Sequence, residues 1–471
     1  MVYPAPDLTT VFSSAGKRWA RLAPWGTLVA MILALAISPV VHGATAAGPG
    51  TKVWDSLYPS GQASSIATSR DGTKVFVTGF VVEGSNRDYA TVAYDAATGV
   101  QLWATRYDGP AHGVDEGTAI AVSPDGTKVF VTGNSERDTG SGITSDYATL
   151  AYDSVTGRQL WVSLNTAPPG GRAEATSIGV NADGSLVFVT GSMDRGLRGD
   201  RDYQTVAYAT SNGGRIWSAR YNGPARGDDL ANALTVNATG TKVFVTGSSD
   251  GGPATGLDYA TLAYDARSGA QLWVARLDGS RGGSDEARSI AFNANGHKLV
   301  VTGSSGWTVA YNPDTAATRW VAHHDARMSS VVISPDGTAV YAAGTTGSAY
   351  ETVALSAADG SERWERMWDP FDGNSADARA IGISPDGSKV FVTGLVALAV
   401  HGYVYGTVAY GTAAGTELWT ATYGNSDIFL GSDARALAVS SDGSKVFVTG
   451  AAFVGFSASF EYDYGTVAYQ T

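Results

Sequence analysis

The segment Lys-Val-Phe-Val-Thr-Gly occurs at residues 74–79, 128–133, 242–247, 389–394 and 445–450, with variants at 186–191, 298–303 and 339–344. Eight in-register copies constrain this chain more than any other feature. A unit of about 50 residues that cannot bury its apolar face alone must stack on its neighbours. A second segment, typified by Asp-Tyr-Ala-Thr-Val-Ala-Tyr-Asp at 88–95, follows each copy, around Tyr89, Tyr147, Tyr203, Tyr259, Trp307, Tyr350, Tyr405 and Tyr464. A third surrounds Trp103, Trp161, Trp217, Trp273, Trp320, Trp364 and Trp419, and Trp54 is the eighth tryptophan of this kind, ahead of the first copy.

Each unit reads as four strands, A to D. Strand A is rich in small residues (118–123), and strand B, the 74–79 type, is apolar on both faces, as expected of a strand covered on both sides. Strand C is the 89–95 type and strand D the 101–107 type. The A–B turn (Ser-Pro-Asp-Gly at 123–126) and the C–D turn (95–99) carry the Asp and Gly that tight turns use for local side-chain bonding and positive φ. Eight such units predict an all-β fold, an eight-bladed β-propeller of four-stranded antiparallel blades. The last unit stops after strand C at Thr471, so residues 53–58 are expected to supply its outer strand. That pairing of N-terminal strand with C-terminal blade closes the ring without an open edge. The eight tryptophans read as packing wedges between blades.

Composition narrows the chemistry. The chain has 471 residues, 44% of them hydrophobic, no cysteine and a formal net charge of −12. The apolar share supports a packed core, and the lack of cysteine excludes disulfides, thiolate metal sites, thiol nucleophiles and covalent haem attachment. An acidic chain lacks the basic face that nucleic acid requires, so no nucleic-acid partner is expected. At the N-terminus, Lys17, Arg18 and Arg21 precede an apolar run (27–41), and Ala44 and Ala46 follow in cleavage-site spacing. This order reads as a secretory signal peptide over 1–46. The run contains Pro39 and falls short of the roughly 20 residues that span a bilayer. Residues 47–471 are then a single propeller domain, expected to be secreted or extracytoplasmic, monomeric, and without a membrane span after cleavage.

The segment Ala-Tyr-Asp-Ala-Ala-Thr-Gly-Val-Gln-Leu-Trp at 93–103 resembles the tryptophan-docking motif of pyrroloquinoline-quinone-type propellers. The fuller units at 107–133 and 221–247 resemble the bacterial SBBP β-propeller repeat family, and the likeness extends over about residues 51–471. The resemblance implies an exported propeller. Quinone dehydrogenases of the first family carry a vicinal disulfide and a calcium-bound acid site, and with no cysteine here that chemistry is not carried over.

The two faces of such a ring are unequal in this sequence. The A–B and C–D turns are short and uniform, whereas the B–C and D–A connections are long and diverse (134–145, 192–201, 248–257, 395–404 and 451–462). Binding resides preferentially on variable loops held by a rigid scaffold. On that face an acid recurs just before strand A: Glu116, Glu174, Asp229, Glu286, Asp377 and Asp433, with Asp325 a looser match and Gln62 in blade one. These residues are expected to form a collar at the channel mouth, either as structural ion pairs with Arg288, Arg379 and Arg435 or as a site for a divalent cation such as calcium. No other cofactor is expected. Connections of blades seven, eight and one are apolar, with Phe80, Val82, Leu395, Leu398, Tyr403, Phe429, Phe453, Phe456 and Phe460. They read either as one partner-binding patch or as longer B and C strands packed on one another.

Catalytic motifs are sparse. Gly247 to Gly251 matches G-x-S-x-G, but a nucleophile elbow needs a strand-to-helix turn and this segment leads from strand to strand. The pair His323–His324 reads as a solvated loop, because adjacent side chains on extended backbone point to opposite sides. His112 and His401 are isolated. The expected function is an exported, non-catalytic binding module that meets a protein or glycan on its long-loop face. The alternative is an extracellular polysaccharide hydrolase or lyase using the acids at the channel mouth.

Overall fold

A computed structural model describes residues 48–471, apart from 85, 141, 195–199, 280–282, 294–295, 372–374, 399–401, 425–430 and 457–459 and the side chains of 456, 460 and 461. The expected signal peptide therefore lies outside the described residues. Among these, the secondary structure is strands and turns, and no helix is long and apolar enough to cross a membrane.

The strands form eight four-stranded antiparallel sheets, each a sequential A-B-C-D meander. Blade one is A (Gly61–Thr68), B (Lys74–Glu83), C (Asn86–Asp95) and D (Gln101–Tyr107). Blade eight is A (Asp433–Val439), B (Lys445–Phe456) and C (Phe460–Gln470), and its D strand is Lys52–Tyr58 from the other end of the chain. Trp54 lies opposite Ala468 and Tyr58 opposite Tyr464, so the expected closure is present in register. A strands of neighbouring blades touch around the axis, which places strand A innermost.

Three ladders of side chains explain why the repeated residues build this ring. The first is tryptophan: Trp103 Nε1 donates to the Ser154 carbonyl of the next blade at 3.1 Å, Trp217 to Ala266 at 2.9 Å, and Trp54 to Ala96 at 3.1 Å. Seven of the eight indoles pack on Phe or Tyr of strand B in their own blade, as Phe76 with Trp103 at 5.8 Å and Tyr341 with Trp364 at 5.8 Å, while Trp320 shares its cluster with Val300. The second is strand-C tyrosine, fully buried, whose hydroxyl donates to strand C of the next blade: Tyr89 to Ala148 at 3.2 Å, and Tyr464 back to Ala90 at 3.2 Å to seal the circle. A bonded phenol avoids the desolvation cost of a buried hydroxyl. The third is a buried Thr–Thr contact between strands B and C, such as Thr246–Thr261 at 2.9 Å and Thr393–Thr407 at 3.0 Å.

The A–B turns are locked by their own side chains. Asp71 accepts from the Ser69 hydroxyl at 2.5 Å and from the Thr73 amide at 3.0 Å, while Gly72 takes φ 70°. The amide of Ala96, after strand C, donates to the Thr73 carbonyl at 2.9 Å, so A–B and C–D turns share one face. At the other end, the Val82 amide donates to the Ser60 carbonyl at 2.6 Å, which ties the B–C hairpin to the D–A connection.

Candidate functional site on the long-hairpin face

Much of what the sequence suggests to be B–C loop is strand. In blade two, B runs to Asp138 and C begins at Ile143; in blade seven, B ends at Leu398 and C begins at Gly402. In blade eight, Phe456 pairs with Phe460 across the hairpin tip. The face is therefore built of projecting β-fingers, held by the same ladder that builds the blades.

This changes the apolar patch. Phe80 is buried with the Arg87 guanidinium 4.5 Å over its ring, and Phe453 is buried edge-on to Tyr462 at 5.6 Å. Leu395 and Leu398 are half-buried, Leu398 against the blade-seven core. Val82 and Tyr403 are exposed. Phe429 lies outside the described residues, as do the side chains of Phe456 and Phe460. For the described members, packing within lengthened strands accounts for most of the apolar character. A cleft of about 710 Å³ remains beside blade eight, lined by Leu57, Tyr423, Gly424, Ala452, Phe453 and Val454 among others.

The acidic collar departs from the sequence expectation in blades four and six. In register, the residue preceding the one opposite the strand-B glycine is Gln62, Glu116, Glu174, Leu230, Glu286, Arg327, Asp377 and Asp433 around the ring. Asp229 stands one place earlier, and a one-residue offset turns a side chain to the other face. It is fully buried, and its Oδ2 accepts the Gly223 amide at 2.6 Å. Blade six carries Arg327 at the collar position rather than Asp325.

The five acids that do share the position each meet an arginine. Glu116 pairs with Arg87, Glu174 with Arg201 at 3.2 Å, Glu286 with Arg288 at 3.7 Å, and Asp377 with Arg379 at 2.9 Å. Arg379 also reaches Asp433 of the next blade at 3.6 Å, and Arg435 reaches Gln62 of blade one at 2.8 Å. Each collar carboxylate is thus within ion-pair distance of a guanidinium. Half-exposed pairs of this kind add at most about 1 kcal/mol each.

The other sequence candidates resolve simply. Ser249 of the G-x-S-x-G match is buried on strand B, where its hydroxyl accepts from Arg276 at 2.5 Å. His323 is exposed and meets the Trp307 ring at 4.4 Å, tilted by 56°, whereas His324 is half-buried, contrary to the solvated loop expected for both. His112 pairs with Asp108 at 2.5 Å, and His401 lies outside the described residues.

One grouping escapes a reading by repeats alone. Carboxylate oxygens of Asp88, Asp108 and Asp115 lie within 4.8 Å of one another at the seam of blades one and two. Burial pushes Asp88 above the usual carboxylate range, helped by Asp108, and burial does the same to Asp115 against the Ser135 hydroxyl and Gly109 amide beside it. The signal available in the sequence is the Asp-Tyr pair opening strand C, which recurs at 88, 146, 202, 258 and, with Asp463, before Tyr464.

The guanine nucleotide-binding protein subunit beta of Zea mays is 27% identical over 212 residues, 41% of this chain and 48% of that protein, so the chain spans about half the length of the curated relatives it matches. Among solved structures, the C-terminal WD40 domain of Sif2 has a TM-score of 0.59 at 14% identity, covering 89% of this chain and 98% of that one. Sqt1 of Chaetomium thermophilum, solved bound to the N-terminus of ribosomal protein L10, has a TM-score of 0.60 at 11% identity, covering 88% and 97%. At such identities the likeness is one of fold. A family model described as outer membrane protein assembly factor BamB matches residues 40–251 and again 206–452, more than half of the sequence. The chain belongs to that family of β-propeller repeat proteins.

Proposed function

We propose that this protein is an exported, non-catalytic interaction propeller that binds a protein partner through its long-hairpin face. The observation that carries the reading is the inequality of the two faces. One consists of near-identical turns locked by Asp71, Asp125, Asp336, Asp386 and Asp442, and the other of fingers that differ in length and composition from blade to blade. A rigid ring with one variable face suits recognition. The family supports it: one relative by model is an assembly factor, and one fold neighbour was solved on a protein terminus. Export is supported by the charge, apolar run and small-residue site within residues 1–46, and by the SBBP-like units.

The test uses photo-crosslinking residues placed singly at Val82 and Tyr403 on the hairpin face and at Val100 and Val155 on the turn face, all exposed. In cells of the source organism, discrete protein adducts are expected from the first two sites, and from a chain lacking residues 1–46. Adducts from the turn face alone, or a cytoplasmic chain with its N-terminus intact, would overturn the reading.

A further inference from the structure

The seams between blades one to five repeat one arrangement, and the first breaks it. An aspartate precedes the strand-C tyrosine at Asp88, Asp146, Asp202 and Asp258, and each of these is at least nine-tenths buried. Burying a carboxylate is costly unless it is paired. In three blades an arginine does this: Arg137 holds Asp146 at 2.6 Å, Arg220 holds Asp202, and Arg276 holds Asp258 at 2.7 Å. Arg220 and Arg276 stand on strand D opposite Gln204 and Ala260.

Blade one has the corresponding arginine, Arg106, opposite Ala90. It turns away, to Glu83 at 3.1 Å and the Tyr58 hydroxyl at 3.4 Å. Among the described residues the Asp88 carboxylate has neither a hydrogen bond nor an ion pair, although Asp88 is only 7% exposed. Two more acids join it instead. Asp115, fully buried, holds the Gly109 amide at 2.9 Å, and the exposed Asp108 holds His112 through Oδ2. At the next-but-one seam the residue equivalent to Asp108 is Asn222, beside Asp229 and the Arg220-neutralised Asp202. Only the first seam, among those described, gathers three carboxylates with their oxygens within 4.8 Å and no guanidinium bonded to them.

We propose that Asp88, Asp108 and Asp115 form a divalent-cation site of calcium type, in which the metal takes the place that arginine fills in the neighbouring blades. Ca²⁺ takes oxygen ligands at about 2.3–2.6 Å, so two ligands on opposite sides of one ion lie about 4.8 Å apart, and three oxygens no further apart than this can share it. An all-carboxylate set favours a hard ion over zinc or copper. Two ligands come from blade one and one from blade two, so the ion would staple the seam. The proposal does not depend on the partner-binding reading above.

Calorimetric titration of the purified protein with CaCl₂, and melting in excess Ca²⁺ or EDTA, test this. One Ca²⁺ per chain and a higher melting temperature in Ca²⁺ are expected. D88N and D108N should each weaken binding at least about tenfold. D108N changes an exposed residue, so its melting in EDTA should match wild type, which separates loss of metal from loss of fold. E116Q, in the collar, should bind Ca²⁺ normally. No heat with Ca²⁺ and superimposable melts would overturn the proposal. So would binding that survives D88N and D108N, or that is lost in E116Q alone.

Discussion

Gly50 packs its Cα against the indole of Trp419 as Gly99 packs against Trp54: both take positive φ (77° and 72°), and a Cβ on Gly50 would lie 3.0 Å from Trp419 Cγ. Gly99 belongs to a continuous C–D turn, whereas Gly50 comes from the opposite end of the chain. Its amide donates to the Gln470 carbonyl at 2.8 Å, and Gln470 donates to the Thr51 carbonyl at 2.9 Å. Two termini thus rebuild a turn that the other blades make from one segment. Gly50→Ala is expected to cost about 1–3 kcal/mol, from left-handed backbone strain and the displaced indole. Urea unfolding of the variant checks this, and an unchanged midpoint would remove the glycine from the closure.

Blade five has Ala316 at this turn position, with φ 63°. Its neighbour across the seam, Trp273, is half-buried, while the other seven docking tryptophans are 6–8% exposed. A methyl group where glycine belongs keeps the ring from closing down. Ala316→Gly should stabilise the protein by up to about 1 kcal/mol, against a larger loss for Gly269→Ala, where a Cβ would stand 2.5 Å from Trp217. The pair of denaturation midpoints should move in opposite directions; movement together would refute the strain argument.

Blade six lacks one rung of the threonine ladder. Thr352 faces Ala343, and its buried hydroxyl has no hydrogen-bond partner. Thr352→Val should therefore leave stability unchanged or raise it by about 1 kcal/mol, whereas Thr407→Val, which breaks the bond to Thr393, should lower it by about 1 kcal/mol. Equal losses from both substitutions, read by thermal melting, would contradict this.

The A–B turns make a pH-dependent contribution whose sign follows from their hydrogen bonds. The Ser69 hydroxyl and Thr73 amide hold Asp71 at about 2, and matching Ser and backbone donors do the same for Asp125, Asp386 and Asp442, against an ordinary 3.8. A carboxyl group whose folded value is depressed stabilises fully above its unfolded value and loses that stabilisation as pH falls through the folded one. The urea midpoint should therefore drop between about pH 4 and pH 2. Replacing all four by Asn should lower stability at pH 6 and flatten the decline; a decline as steep as in wild type would exclude these turns as its source.

Much of this was legible in the residues themselves. Continuous apolar B segments, Asp-Gly turns and the tryptophan at each D strand specify eight like meanders, and Trp54 ahead of the first copy discloses how the ring closes. The collar was legible only to within one residue. Asp229 and Glu116 occupy similar places in the linear text, yet the pairing of Leu230 with Ser248 turns Asp229 inward. The apolar connections of blades seven and eight were ambiguous for a related reason, since an apolar run between two strands is equally a loop or more strand until its partner is known.

What the sequence determined by itself is the repeat: local propensity, turn chemistry and the spacing of Trp, Tyr and Thr recur in each unit, and eight copies of a unit that cannot stand alone have few ways to stack. What tertiary structure decided is which charges meet. Arg106 and Arg276 occupy the same position in their repeats, but Arg276 neutralises the buried Asp258 of its own blade while Arg106 turns to Glu83 and leaves Asp88 among two more acids. The partners that differ come from other units, Tyr58 of blade eight beside Arg106 and Asp115 of blade two beside Asp88, and the energy of a buried charge depends on what surrounds it in space, which repetition along the chain does not encode.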